Sequence, residues 1–234
     1  MQIEFMHQPG NTAARIALAP GDSLTAEAGA MIAMSGHLGV STSTHKRGKG
    51  GLLKAAKRLF AGESFFLNHF SAEREAGEVW LGSTLAGDMM QYELSGQTLI
   101  AEAGAFVACA QEVNVDVGWQ GFKNLLSGES LFWLKLSGQG PVILSAFGAI
   151  YPVEVDGEYI VDTGHIVAFN ETLDFSLTKA GKSWVSSILG GEGLVCKFRG
   201  RGTVWCQSHS PRSFGQSFGS SLKRPYCQNY ASSR

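Results

Sequence analysis

Carboxylates held at a fixed spacing from glycine are the first chemistry-bearing pattern in this chain. Glu27 and Gly29, Glu102 and Gly104, and Asp162 and Gly164 each set an acid two residues before a glycine. Gly-Glu dipeptides ending at Glu63, Glu129 and Glu192 form a second set. Acids of this kind could exchange protons as the general acid and base of a hydrolase or isomerase. They could also line a small-ligand site repeated at each junction between copies. A catalytic group is needed once, however, and these acids recur in every copy. The reading preferred from sequence is therefore structural, with the carboxylates accepting backbone N–H bonds at tight turns.

Other enzyme signatures are missing. The histidines, His7, His37, His45, His69, His165 and His209, never fall within five residues of one another, so no strand carries the paired imidazoles of a metal site. No nucleophile elbow, Walker loop or dinucleotide-binding glycine pattern is present, and the GKGG at Gly48 lacks the Lys-Ser/Thr ending that phosphate binding needs. Cys109, Cys196, Cys206 and Cys227 form no C-x-x-C pair and no metal-ligand spacing, which predicts reduced thiols. No catalytic residue, metal ligand or cofactor is assigned, and the chain is expected not to be an enzyme.

One segment carries chemistry of another kind. His45 to Phe60 reads HKRGKGGLLKAAKRLF, with Lys46, Arg47, Lys49, Lys54, Lys57 and Arg58 and no acid. Leu52, Ala55, Ala56, Leu59 and Phe60 share one face at helical spacing, with lysine and arginine opposite. Two functional readings compete, namely salt-sensitive contact with nucleic-acid phosphates and adsorption of a basic amphipathic helix to an anionic membrane. The plain alternative is a lid helix that packs its apolar face on its own copy. Because FKNLL from Phe122 and WVSSIL from Trp184 keep the apolar face without the charges, packing accounts better for the helix. The basic loop before it stays unexplained by packing.

The elements that position these residues come from an internal repeat. LTAEAGAMIAM from Leu24 returns as LIAEAGAFVAC from Leu99 and as YIVDTGHIVAF from Tyr159. Each Gly-Glu turn then precedes an apolar strand, FFLNHF from Phe65, LFWLKL from Leu131 and LVCKF from Leu194. A closing strand follows: VWLGS from Val79, VILSA from Val142 and VWCQS from Val204. The third copy is one residue shorter before its Gly-x-Gly, which predicts a bulge or slipped register there. Alternation with a period of two, as in Val113, Val115 and Val117, predicts strands with one face in a core. Gly21, Gly96 and Gly157 occupy equivalent turns, where positive φ is expected.

The domain layout expected is copy one over 1–84 with a basic insertion at 43–58, copy two over 85–146, copy three over 147–208, and a tail over 209–234 with a short helix near Phe214 to Leu222. Hydrophobic residues make up 44% and charged residues 17%, which suits a well-filled core needing no disulfide or metal. A net charge of −1 removes any global field for nucleic acid or acidic lipid. The N-terminus shows no signal-peptide pattern, and the longest apolar stretch, Pro141 to Val153, is too short to span a bilayer. A cytoplasmic protein without a transmembrane segment is expected.

The thrice-repeated acid-x-Gly, the Gly-Glu turns and the closing GEGL…G-x-G-x-V run from Gly191 to Val204 resemble the altered-inheritance-of-mitochondria (twenty-four) family. That family is mainly bacterial and takes its name from a yeast mitochondrial-biogenesis protein. The resemblance covers roughly Ile3 to Phe218. It implies an all-β fold like that of the trp RNA-binding attenuation protein (TRAP), three tandem short double-stranded β-helix (β-sandwich) units with pseudo-threefold repetition and short lid helices. It also implies a homotrimer closing a nine-unit ring. The attenuation protein's basic triplet, present once per unit, has no counterpart in copies two and three, so RNA binding of that kind is not carried over. The expected function is a non-catalytic ring-forming scaffold. Its partners, in order, would be a protein or membrane-associated complex, a nucleic acid, and a small ligand at unit junctions.

Overall fold

The computed structural model describes residues 1–44, 65–116, 132–179 and 194–221. The three lid-helix segments, the basic residues Lys46, Arg47, Lys49, Lys54, Lys57 and Arg58, and the Gly-Glu acids Glu63, Glu129 and Glu192 lie outside the described residues, as does Cys227.

The chain is all-β and antiparallel. Its first stretch holds β1 (Gln2–Met6), β2 (Ala13–Leu18), β3 (Ser23–Glu27), β4 (Met31–Met34), β5 (Gly39–Thr44), β6 (Phe66–Ser71) and β7 (Gly77–Leu81). β8 (Met89–Ser95), β9 (Leu99–Glu102), β10 (Phe106–Ala110), β11 (Val113–Asp116) and β12 (Trp133–Ser145) follow. β13 (Ile150–Asp162), β14 (Ile166–Asn170), β15 (Asp174–Lys179) and β16 (Leu194–Gln207) complete the sheets, and α1 (Pro211–Ser221) ends the described chain. The helix expected near Phe214 to Leu222 therefore starts earlier, at the proline that suits a first helical turn.

The path of β2 to β7 is retraced by β8 to β12 and again by β13 to β16. β3 pairs with β6, β9 with β12 and the second half of β13 with β16. β4 pairs with β7, β10 with β12 and β14 with β16, each with a register shift at the same place, Met31/Ala33, Phe106/Ala108 and Ile166/Ala168. That is where irregularity sits in the third stretch. The slip expected before its Gly-x-Gly is not found, because β13 and β16 stay in one register from Ile150↔Gln207 to Asp162↔Val195.

Two further ladders join the stretches. β10 pairs with β3 through Ala108↔Ala26, Cys109↔Thr25 and Ala110↔Leu24. β14 pairs with β9 through Ala168↔Ala101, Phe169↔Ile100 and Asn170↔Leu99. Strands β10 and β14 are buried on both faces, and their sequences, FVACA and IVAFN, are apolar runs without alternation. Strand β2 alternates instead, with Ala14, Ile16 and Leu18 inside and the intervening residues half-buried.

Glycine lets the strands bend. Gly21, Gly96 and Gly157 all have positive φ (91°, 99° and 108°). At Gly157, however, no loop interrupts the chain, and β13 runs straight through, paired with the equally bent Gly200 (φ 113°) of β16. Gly138 (φ 116°) does the same in β12, whose first half joins β9 and β11 and whose second half joins β8 and β10. A Cβ on Gly138 would stand 2.3 Å from the Glu112 carbonyl oxygen.

The cores ignore the copy boundaries. One cluster, around Phe106, Leu134 and Leu144, takes in Leu67 from before it and Val167 and Ala168 from after it. A second, around Ile16, Phe70 and Val79, takes in Val107 and Ile143. In the third, Phe169 meets Trp133, Phe175 and Phe198 edge-on at centroid distances of 5.4, 5.1 and 5.1 Å.

Alanine substitution should separate the two glycine roles. Gly96→Ala has open space around its Cβ and should cost about 1 kcal/mol for the left-handed backbone alone. Gly138→Ala adds a backbone clash and should cost roughly 2–4 kcal/mol in urea unfolding. Equal costs would contradict the bend in β12.

Candidate functional site

The acid-x-Gly triplets lie where one strand ends and the next begins. Glu27 ends β3, Glu102 ends β9 and Asp162 ends β13. After the latter two the chain makes a single 3-10 turn, Ala103–Ala105 and Thr163–His165. The Asp162 carboxylate folds forward onto its own turn, where the Gly164 N–H donates to Asp162 Oδ1 at 2.8 Å. Glu102 stands at the equivalent place without a side-chain cap hydrogen bond. The glycine keeps room for the acid: a Cβ on Gly104 would stand 3.0 Å from Glu102 Oε2, and one on Gly164 would stand 3.2 Å from Asp162 Oδ1. At the first turn Gly29 adopts φ 100°, a conformation that disfavours other residues.

Glu27 lies close enough to Glu102 to feel its charge. Burial pushes Glu102 up to about 7. Glu27 is also pushed up to about 7, first by burial and then by the neighbouring Glu102. Such a pair holds a proton near neutrality. Among the described residues no cysteine thiolate accompanies it. Cys109, Cys196 and Cys206 are buried, and loss of solvent pushes their thiols up to about 12, 12 and 11. Among the described residues no three His, Cys, Asp or Glu side chains gather to hold a metal ion.

Two features were not anticipated from sequence. His69 bridges three strands, its Nδ1 2.9 Å from Thr25 Oγ1 and its Nε2 2.7 Å from Ser43 Oγ. Only the apposition of β3, β5 and β6 brings these residues together, so spacing gave no sign of it. The second feature is apolar exposure at the two ends of the repeat. Met31 and Ile32 on β4 are 44% and 60% exposed, and Tyr159 and Ile160 on β13 are 47% and 54% exposed. The signal for β4 was present in MIAM, an apolar run without alternation like those of β10 and β14.

Polar contacts seal the inner ladders. Ser23 donates to Gln111 across the first, and Lys135 pairs with Glu171 across the second. An open concavity of about 500 Å³ between Glu93, Leu94, Ser95, Glu112, Gln139 and Gly140 lies at a hairpin mouth and shares no lining residue with the acid turns.

The sign of the pH dependence follows from the raised carboxyls. The folded state binds the Glu102 proton more tightly than the unfolded chain does. Stability is therefore fullest below the ordinary carboxylate range and falls as pH rises from about 4.5 to about 7. Glu102→Gln keeps the size of the side chain but cannot ionise. It should match the wild type below pH 5 and exceed it by on the order of 2 kcal/mol at pH 8. Parallel stability curves for the two proteins would exclude a buried Glu102 proton.

Comparison with known proteins places the chain. A family model described as mitochondrial biogenesis AIM24 matches residues 3–209. An uncharacterised protein of Streptococcus pyogenes serotype M6 is 27% identical over 205 residues, which span 85% of this chain and 82% of the relative. The crystal structure of a Streptococcus pyogenes protein superposes with a TM-score of 0.78 at 26% identity, covering 94% of this chain and 99% of that one.

Proposed function

The chain belongs to the mitochondrial biogenesis AIM24 family, and within it we propose that this protein is a non-catalytic scaffold, a trimer of three-unit chains closed into a ring. Each unit is a TRAP-like short double-stranded β-helix, and the ring offers its surface to a partner in repeated copies. The observation that carries this reading is the strand path traced three times, with the same ladder joining first to second and second to third. A chain built by such addition is not closed within itself. Its two ends are complementary, and complementary ends generate a ring or a filament.

Two observations support a role without catalysis. The recurring acid Asp162 is engaged by the backbone of its own turn. The described thiols are buried and hold their protons far above neutrality. Repetition is what a scaffold uses, because many weak contacts from one rigid body sum to tight binding.

Light scattering on the purified protein, with absorbance recorded at nucleic-acid and protein wavelengths, tests the reading. Three chain masses without nucleic acid are expected. A single chain mass at micromolar concentration overturns the ring, and co-purifying nucleic acid identifies the partner class as a polyanion.

A further inference from the structure

Burial at equivalent positions differs sharply between the inside of the repeat and its ends. Met31 and Ile32 of β4 correspond to Phe106 and Val107 of β10 and to Ile166 and Val167 of β14. The inner four are at most 1% exposed, whereas Met31 is 44% and Ile32 is 60% exposed. On the other side, Tyr159 corresponds to Leu24 and Leu99, which are 1% and 0% exposed against its 47%. Ile160 is 54% exposed where its equivalent Ile100 is fully buried. The two surfaces differ from their inner equivalents by one thing, the neighbouring strand.

The neighbour each lacks is the one the other supplies. Inside the chain, β10 lies against β3, and β14 against β9, a strand of the β3 kind. β4 is of the first kind and stands at the end of the order β1-β2-β7-β4. The second half of β13 is of the second kind and has only β16 beside it. A short, apolar, uncharged edge such as Met31–Met34 is an open template for another strand.

Resting on the assembly proposed above, we propose that β4 of one copy adds antiparallel to the second half of β13 of another copy, head to tail. The register follows from the two inner ladders. Ala108↔Ala26 and Ala168↔Ala101 become Ala33↔Val161 between copies. Cys109↔Thr25 and Phe169↔Ile100 become Met34↔Ile160. The result is one continuous sheet, β15-β16-β13 of one copy followed by β4-β7-β2-β1 of the next. It repeats the order β11-β12-β9 followed by β14-β16-β13 found within the chain. The contact is heterologous, so β4 never meets β4.

Two variants test the pairing alongside the wild type. Met34→Cys with Ile160→Cys should form a disulfide between chains under mild oxidation, since directly paired strand residues lie within disulfide reach. Peptide mapping should find residue 34 joined to residue 160. Ile32→Lys with Ile160→Lys changes side chains that are exposed in the single chain, so each copy should still unfold cooperatively. Assembly should weaken at least about a hundredfold, because burial would strand a charge. A trimer that survives both lysines and yields no 34–160 link overturns this interface and leaves the ring standing. A wild type of single-chain mass overturns both. A 34–160 link in an open-ended ladder of oligomers upholds the interface and overturns the ring.

Discussion

A strand edge carries N–H and C=O groups that are costly to leave dry, and they are satisfied only by another strand or by water. In this fold the β3 edge of the first copy is satisfied by the second copy and the β9 edge of the second by the third. Ladders of only a few residues, Ala108 to Ala110 on Leu24 to Ala26 and Ala168 to Asn170 on Leu99 to Ala101, join what would otherwise be separate sandwiches. The cores conform to the same arrangement. Leu67 lies in a cluster with Leu134 and Val167, and Ile100 and Trp133 lie with Phe198, so no copy fills its own interior. Small residues at Ala26, Ala101, Ala108 and Ala168 let the paired strands be covered on both faces.

The acid turns answer a second demand of this design. A chain that leaves one sheet and enters another within three residues must present backbone N–H groups away from any ladder. Asp162 accepts one of those groups locally. Placing the acids beside an inter-copy ladder has an electrostatic cost, visible where Glu27 and Glu102 are both pushed up to about 7. The motif satisfies the backbone at the expense of carboxylate solvation, and a proton settles the conflict.

Much of this was legible in the sequence, and what was hidden had a physical cause. The strand character and the positive φ of Gly21, Gly96 and Gly157 follow from local pattern, which sequence records directly. That β12, β13 and β16 are continuous strands was not, because Gly157 read as a turn and a glycine's ability to bend within a ladder depends on the partner strand. Periodicity says which face is buried and is silent on what buries it. The ladders between copies and the Thr25–His69–Ser43 contact were invisible for that reason. The MIAM run did carry its information. It has the composition of a strand covered on both sides, and in a single chain it is not so covered.

The long strands β12 and β16 have a consequence for how the molecule comes apart. In a stacked-repeat protein each module can fray on its own, and stability is nearly a sum over modules. Here β12 reaches all of β8 to β11 and β16 all of β13 to β15, so opening one ladder tears a strand that another ladder is using. The second copy and the third are thereby each tied into a cooperative block. The first copy is built differently, with β6 and β7 as separate short strands on either side of Ala72–Ala76. Amide hydrogens there should exchange through smaller openings than those of β12 and β16.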